Sequence, residues 1–277
     1  MSLVSTGEIV ATAASEGHGV AAFNVIMIEH AEAIVAGAER AGCPVILQIS
    51  QNAVKHHHWQ LAPIAAASRE IARAAKTPVA LHLDHVTRDD LLRQAPSHGF
   101  SSVMFDASTL PYQENVAAVK AAAEFAHAEG LWLESELGEV GGKDGVHAPG
   151  ARTAPDQAAE FVAATGVDAL AVAVGSSHAM TTQTALLDHD LIARIRNATP
   201  VPLVLHGSSG VPTQDLVTAV DNGMVKINIG TALNVAFTGA LRSFLESHPD
   251  VVDPRRCLSP ARDAISEVVA TYCGALS

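Results

Sequence analysis

The sequence predicts an α/β fold, a single (β/α)8 or TIM barrel, from three observations. Eight short apolar runs alternate with longer, Ala-rich stretches of helical periodicity. Runs such as Ala169–Val174 are apolar throughout, which is typical of strands that are buried on both faces of a parallel sheet. The chain has 277 residues, and a barrel of eight strand–helix units needs about 250. We therefore expect one domain that spans residues 1–277.

Each predicted strand is rich in β-branched or aliphatic residues and is bounded by turn residues. Pro78 and Pro202 begin strands because proline stops the preceding helix. Gly42, Gly130 and Gly166 follow predicted helices, where glycine readily adopts the left-handed conformation. The predicted strands are Val20–Val25, Pro44–Ile49, Pro78–Leu83, Ser101–Asp106, Leu131–Leu137, Ala169–Val174, Pro202–Leu205 and Met224–Ile229. The predicted helices include Ile28–Ala41, Gln60–Ala75, Gln113–Glu129, Pro155–Thr165, Ala232–Glu246 and Pro260–Tyr272.

A doubly wound open sheet is the alternative architecture for this alternation. Such folds usually carry a Gly-rich phosphate fingerprint after the first strand, but the segment Asn24–Glu29 contains no glycine. The chain also has no Pro/Ser-rich linker between two halves. The barrel is therefore the favoured fold.

Composition excludes several classes of protein. Hydrophobic residues make up 48% of the chain, which is too many for a disordered protein. The formal net charge of −12 argues against a nucleic-acid partner, which requires a basic surface. No apolar run approaches the roughly 20 residues that cross a bilayer, and no signal-peptide pattern is visible. The three scattered cysteines do not resemble a disulfide framework. We expect a cytoplasmic protein that binds neither membranes nor nucleic acid.

Polar residues stand at the ends of the predicted strands, which is where the active sites of α/β barrels lie. Three of them are histidines, His85, His178 and His206, after the third, sixth and seventh strands. One such histidine could simply cap a helix, but three at the ends of one barrel match the ligand set of a catalytic zinc site. Asp84 stands beside His85 and would bring a proton-carrying carboxylate to a metal-bound substrate.

Two turns of small residues follow the seventh and eighth strands, and the second turn opens a helix. Backbone N–H groups in such turns bind anions, and phosphate sites in barrels are frequently built from these two loops. The sequence therefore predicts a phosphate site there. Its candidate residues are Gly207, Ser208, Ser209, Asn228, Ile229, Gly230 and Thr231.

With these features the chain resembles the class II, zinc-dependent ketose-bisphosphate aldolases, the fructose and tagatose bisphosphate enzymes, from about Ser5 to its C-terminus. The resemblance implies reversible cleavage of a ketose 1,6-bisphosphate to dihydroxyacetone phosphate and glyceraldehyde 3-phosphate, in carbohydrate metabolism such as glycolysis. The matching motifs are Ala22-Phe23-Asn24-Val25, Ala80-Leu81-His82-Leu83-Asp84-His85, Leu133-Glu134-Ser135-Glu136-Leu137-Gly138, Leu205-His206-Gly207-Ser208-Ser209-Gly210 and Lys226-Ile227-Asn228.

The resemblance also implies a role for each matching residue. The three histidines would hold the zinc, and Asp84 would exchange the proton of the substrate's C4 hydroxyl. Asp106 and Glu134 would lie near the metal and contact it in an alternative position. Asn24 and the two turns would contact the substrate and its C1 phosphate. Some members use a monovalent cation, Na⁺ or K⁺, near this phosphate, and we expect a homodimer or homotetramer.

Three positions depart from the family pattern. Val86 follows the Asp-His pair, where the family has a small residue or His. Ala179 replaces the Gly whose backbone contacts the ligand. The loop after the fifth strand carries Asp144 where the family has Glu, and we assign the role of this acid in proton transfer to Asp144. These changes bear on the choice of substrate and leave the zinc and Asp84 assignments in place.

Other functions remain as alternatives. A Schiff-base aldolase requires a lysine on a strand, for which Lys226 is the candidate. A metal-dependent hydrolase of the amidohydrolase type usually carries His-x-His on its first strand, and Val20–Val25 has no histidine. A non-catalytic subunit that stabilises an aldolase would have lost catalytic groups, but this chain retains the three histidines and Asp84. An aldolase for another phosphorylated ketose is also compatible with the sequence.

Overall fold

The computed structural model describes residues 2–138 and 152–277. In these residues eight parallel strands pair in sequence order, and the eighth pairs with the first, so that the sheet closes into a barrel. This confirms the predicted TIM barrel. The strands are β1 (Val20–Asn24), β2 (Val45–Ser50), β3 (Val79–Val86), β4 (Ser102–Phe105), β5 (Trp132–Glu136), β6 (Ala169–Ala171), β7 (Leu203–Leu205) and β8 (Met224–Ile229).

Helices follow the strands and cover the outside of the barrel. These helices are rich in alanine, which favours helix formation, and each has one apolar face. That face packs against the outward-facing residues of the strands. The described helices are α1 (Thr6–Glu16), α2 (Ile28–Ala41), α3 (Gln51–His56), α4 (Leu61–Ala74), α5 (Asp89–Leu92), α6 (Tyr112–Ala128), α7 (Pro155–Thr165), α8 (His189–Ala198), α9 (Thr213–Asp221), α10 (Thr231–Ser247) and α11 (Pro254–Leu276). None of the described helices is long and apolar enough to cross a membrane.

Helix α1, which the predicted elements did not include, packs against the inside of the barrel. Its residues Ile9 and Val10 form a separate buried cluster with inward-facing strand residues such as Ala22, Ile46 and Val225. Ser5 caps the helix by accepting the N–H of Glu8. Because the active site of a barrel lies at the carboxyl ends of its strands, this cluster belongs to the scaffold beneath the site.

Strand β6 is shorter than its apolar run. The prediction extended it to Val174, but the described strand ends at Ala171. The backbone of Ala173 instead pairs with Thr153, which donates its N–H to the Ala173 carbonyl and accepts the Ala173 N–H on its hydroxyl. The chain leaves the sheet there and continues towards His178.

Candidate active site

A cavity of about 500 Å³ opens at the carboxyl ends of the strands. Of the residues predicted from the sequence, Glu134 and Ile229 do not line it, and Asp144 lies outside the described residues. Ile229 is fully buried in the core between barrel and helices. The predicted residues that line the cavity are Asn24, Asp84, His85, Asp106, His178, Ala179, His206, Gly207, Ser208, Ser209, Asn228, Gly230 and Thr231.

The three predicted histidines meet in this cavity. His85, His178 and His206 each offer a ring nitrogen, and these atoms all lie within 4.8 Å of one another. His85 Nε2 and His206 Nδ1 are 3.1 Å apart. Tetrahedral zinc with Zn–N bonds of about 2.0–2.1 Å would separate two such nitrogens by about 3.3–3.4 Å. The donor set and its spacing therefore fit a zinc ion.

An irregularity in β3 brings Asp84 and His85 to the same cavity. Successive side chains of a regular strand point to opposite faces. Between Leu83 and Val86, however, β3 contains one residue more than β4, and His85 has a left-handed φ of 49°. Leu83 and Val86 both pack into the outer core. The bulge thus leaves two consecutive polar residues facing inwards.

Asp84 is a buried carboxylate at the centre of the site. Its side chain is 2% exposed, and its Oδ1 atom is buried without a hydrogen-bond partner among the described residues. Buried carboxylate oxygens are normally hydrogen-bonded, so an exception within a polar cavity indicates a group that meets a ligand. The position and environment of Asp84 suit a group that accepts a substrate proton.

Asp106 orients the first histidine. Its Oδ2 atom lies 3.0 Å from His85 Nδ1, while its Oδ1 atom accepts hydrogen bonds from the hydroxyl of Ser108 at 2.6 Å and from the Ser108 N–H at 3.2 Å. A carboxylate that receives the Nδ1 proton leaves the Nε2 lone pair of His85 for a metal. Asp106 can therefore orient His85, as well as contact a metal directly.

The two glutamates of β5 have different surroundings. Glu134 Oε1 lies 2.9 Å from His206 Nε2, and Glu134 Oε2 lies 2.8 Å from Lys226 Nζ. A second set of atoms that could hold a metal contains Glu136 with His85 and Asp106. The sequence assignments included Glu134 but not Glu136. The spacing of two along β5 could have indicated both, since alternate residues of a strand share a face.

Lys226 is fully buried and makes two polar contacts. Besides Glu134, its ammonium group donates to Asn228 Oδ1 at 2.7 Å. It is not among the residues that line the cavity. A Schiff-base aldolase needs a neutral amine that can reach the substrate carbonyl. The ion-paired Lys226 does not match that requirement.

His82 belongs to the barrel interior beneath the site. It is fully buried, and its Nδ1 atom lies 2.7 Å from the hydroxyl of Ser102. Burial, and then the nearby charge of Lys226, hold the pKa of His82 well below its ordinary value. His82 is therefore a neutral, buried residue that packs inside the barrel below the active site.

The two predicted anion-binding turns lie side by side. Gly207 has a φ of 69° and leads into the 3-10 turn Ser208–Gly210. The hydroxyl of Ser209 accepts the N–H of Ala232 at 3.0 Å and so ties this turn to the start of α10. A Cβ added to Gly230 would lie 2.6 Å from Asn24 Oδ1. Residues of both turns and the start of the 17-residue α10 thus line the cavity together, and a helix start of this kind is a common place for an anion to bind.

Ala179 occupies a strained position after His178. Its φ is 60°, in the left-handed region that glycine adopts freely and alanine disfavours. The family resemblance predicts Gly at this position. The left-handed backbone at this position is the conformational reason for that preference, and the sequence alone does not reveal it.

Comparison with known proteins gives the family. Residues 4–277 match the family model of class-II fructose-bisphosphate aldolase. The YdjI aldolase from Escherichia coli K12 is 31% identical, with a TM-score of 0.84 over 99% of this chain and 97% of that one. The fructose-bisphosphate aldolase from Campylobacter jejuni is 23% identical and shares the fold, with a TM-score of 0.82 over 99% of this chain and 95% of that one. The chain belongs to the class II fructose-bisphosphate aldolase family, whose members are carbon–carbon lyases.

Proposed function

We propose that this aldolase catalyses the zinc-dependent, reversible cleavage of a phosphorylated ketose to dihydroxyacetone phosphate and an aldehyde. The substrate that the sequence predicts is fructose or tagatose 1,6-bisphosphate, with glyceraldehyde 3-phosphate as the aldehyde. The observation that carries the proposal is the meeting of three histidine nitrogens beside Asp84. The two turns that are predicted to bind an anion line the same cavity.

We assign metal binding, proton transfer and phosphate binding to different residues of the site. His85, His178 and His206 would hold zinc, which when bound supplies Lewis-acid stabilisation of the negative charge that develops on the ketose oxygens. Asp84 takes the proton of the C4 hydroxyl during cleavage and returns it during condensation. The turns hold the C1 phosphate, so that the C3–C4 bond is positioned at Asp84 rather than merely bound.

Further assignments come from the sequence and its family resemblance, and that of Asp106 is supported by its place in the second possible metal set. We propose Asp106 and Glu134 as alternative metal contacts, Asp144 as the loop acid, and a monovalent cation, Na⁺ or K⁺, near the phosphate. We likewise propose a cytoplasmic homodimer or homotetramer that serves glycolysis or a related route of carbohydrate metabolism. Gel filtration and assays in buffers with and without K⁺ or Na⁺ test the assembly and the cation.

The rest of the cavity lining supports a second candidate substrate. Besides the two turns and the histidines, the lining includes Ile26, Gln51, Asn52 and Thr87, which follow β1, β2 and β3, and no described lining residue is Lys or Arg. Gln51 and Thr87 fix each other, because the Gln51 amide donates to the Thr87 hydroxyl and accepts the Thr87 N–H, at 2.8 and 3.0 Å. Neutral amides and hydroxyls suit sugar hydroxyls, whereas Arg and Lys are the usual partners of phosphate. A ketose phosphorylated only on C1 is therefore the second candidate.

A panel of substrates tests the proposal. Cleavage of fructose 1,6-bisphosphate, tagatose 1,6-bisphosphate and matched ketose 1-phosphates is followed by release of dihydroxyacetone phosphate, before and after chelation. We expect chelation to abolish cleavage and zinc to restore it. Full activity after complete removal of metal would refute the zinc requirement. Borohydride trapping of a substrate adduct would indicate the Schiff-base route instead.

Two substitutions separate the proposed roles. Asp84→Ala should retain zinc and lose about 10²–10⁴-fold in kcat, the usual contribution of a general acid–base group. His206→Ala should lose zinc as well. Unchanged turnover in Asp84→Ala would contradict the proposed mechanism. Purified wild-type protein that binds no zinc and cleaves none of the panel would favour the non-catalytic, stabilising subunit.

A further inference from the structure

We propose that Lys226 is a positioning residue that fixes two groups of the site, the amide of Asn228 and, through Glu134, the ring of His206. The inference rests on the proposed metal site and extends it to a residue that does not reach the cavity. Lys226 and Glu134 are both 0% exposed, and their ion pair spans the inside of the barrel between β8 and β5. Lys226 thus joins a predicted metal ligand to a predicted substrate contact.

The first contact orients Asn228. An ammonium group has three donors and no acceptor. The Asn228 atom 2.7 Å from Lys226 Nζ must therefore be the amide oxygen. The amide nitrogen of Asn228 is then directed away from Lys226, and Asn228 lines the cavity. Lys226 in this way fixes the amide of Asn228, whose nitrogen lies beside the ring of His206.

The second contact selects the tautomer of His206. Lys226 holds Glu134 Oε2 at 2.8 Å, which leaves Oε1 2.9 Å from His206 Nε2. An ionised carboxylate only accepts hydrogen bonds, so the proton of a neutral His206 lies on Nε2. Its Nδ1 atom then keeps the lone pair, and it is this atom that lies 3.1 Å from His85 Nε2 in the histidine cluster.

The Asn228 amide nitrogen also lies 3.1 Å from His206 Nε2, so Asn228 and Glu134 compete for this atom. Two N–H groups cannot donate to each other, and a proton on Nε2 that is donated to Glu134 excludes a hydrogen bond from Asn228. The charge-assisted contact with Glu134 is the stronger of the two, so Lys226 sets the tautomer through Glu134. A buried ion pair often stabilises a protein no more than apolar residues of similar volume. We therefore assign the Lys226–Glu134 pair to the orientation of Asn228 and His206 rather than to stability.

The test uses full-length protein and three variants. Lys226→Met removes the charge and approximately keeps the volume of the side chain. Because this leaves Glu134 buried without its ion-pair partner, the double variant Lys226→Met/Glu134→Gln removes both charges and preserves the fold if the single variant is unstable. Thr6→Val is the matched control, since Thr6 is also fully buried and hydrogen-bonded, but to Ser101 and Ser102 at the start of β4.

Two measurements read the proposed role. Zinc affinity is measured by competition with a chromogenic chelator, and the tautomer of His206 in metal-free protein is measured by NMR with ¹⁵N-labelled histidine, assigned by comparison with His206→Ala. We expect both Lys226 variants to lose roughly 10–100-fold in zinc affinity, as is typical when a partner of a metal ligand is removed. Both should also show an increased Nδ1–H population. Thr6→Val should change neither.

Wild-type zinc affinity and an unchanged Nε2–H tautomer in a folded Lys226 variant would overturn the proposal. Equal losses of zinc affinity in Thr6→Val and Lys226→Met would also overturn it, because they would show a general effect of barrel stability. The tautomer measurement is made without metal. It therefore tests Lys226 even if the wild-type protein binds no zinc, an outcome that would refute the proposed function separately.

Discussion

Replacing Gly207 with alanine tests whether the turn after β7 holds the candidate zinc ligands His206 and His178 in their relative positions. Gly207 follows His206 and has a φ of 69°. A Cβ at this position would lie 2.6 Å from the carbonyl carbon and oxygen of Ser177 and 2.9 Å from its nitrogen. Ser177 in turn precedes His178. One methyl group would therefore push apart the two backbone segments that carry His206 and His178.

The expected losses of stability and activity in Gly207→Ala follow from this geometry. A left-handed conformation costs a residue with a Cβ roughly 1–2 kcal/mol. Ordinary contact begins at 3.4 Å, so the clashing atoms must separate by about 0.5–0.8 Å. Because a misplacement of about 1 Å can cost on the order of 10²-fold in rate, we expect kcat/KM to fall about 10–100-fold. The free energy of unfolding should fall by more than the conformational cost alone.

Gly166→Ala is the matched control. Gly166 has a φ of 71°, and a Cβ there would have no atom within 4 Å. This variant should lose roughly 1–2 kcal/mol in urea denaturation and retain wild-type zinc affinity and kcat/KM. Cleavage is followed by coupled assay at saturating zinc. If Gly207→Ala equals Gly166→Ala in both stability and activity, the contact with Ser177 does not hold the site and the reasoning is wrong.

Two further predictions concern stability. Ala179→Gly should relieve a left-handed alanine and raise the free energy of unfolding by up to about 1 kcal/mol, with zinc affinity retained; a loss of stability in urea denaturation would contradict the strain. Burial lowers the pKa of His30 from its ordinary value of 6.5, so below pH 6.5 the unfolded chain takes up this proton before the folded protein does. Stability should therefore fall with decreasing pH below 6.5, by up to about 1.4 kcal/mol per pH unit from this group. His30→Phe, which keeps the stacking on Phe237, should reduce that slope, and an identical slope in both proteins would exclude His30 as its source.

The fold was predictable because a parallel barrel leaves a strong pattern in its sequence. Strand β2 is buried along nearly its whole length, so it reads as a mainly apolar run with the polar Ser50 at its carboxyl end. Because the carboxyl ends of all eight strands surround one cavity, the polar side chains at those ends lie close together. This is why His85, His178 and His206 could be placed together from positions that are far apart in the chain.

The details of the site depend on geometry that no local pattern encodes. Strict alternation along β3 would have sent Asp84 and His85 to opposite faces, and only the bulge with its left-handed His85 brings both into the cavity. The pairing of Lys226 with Glu134 depends on two strands on different sides of the barrel, which approach only when the sheet closes. The role proposed for Asp144 remains a prediction, since that residue lies outside the described part of the chain.

The charges around the cavity connect metal binding to substrate binding. Its described lining includes the carboxylates of Asp84 and Asp106 and no lysine or arginine, in a chain whose formal charge is −12. Lys226, the buried cation nearby, is already paired with Glu134. Within the described part of the chain, backbone N–H groups, the start of α10 and the proposed zinc are therefore the groups that can attract an anionic sugar phosphate. When zinc is bound, its positive charge offsets the repulsion between the carboxylate of Asp84 and the anionic substrate. Binding of zinc should therefore strengthen substrate binding as well as enable cleavage.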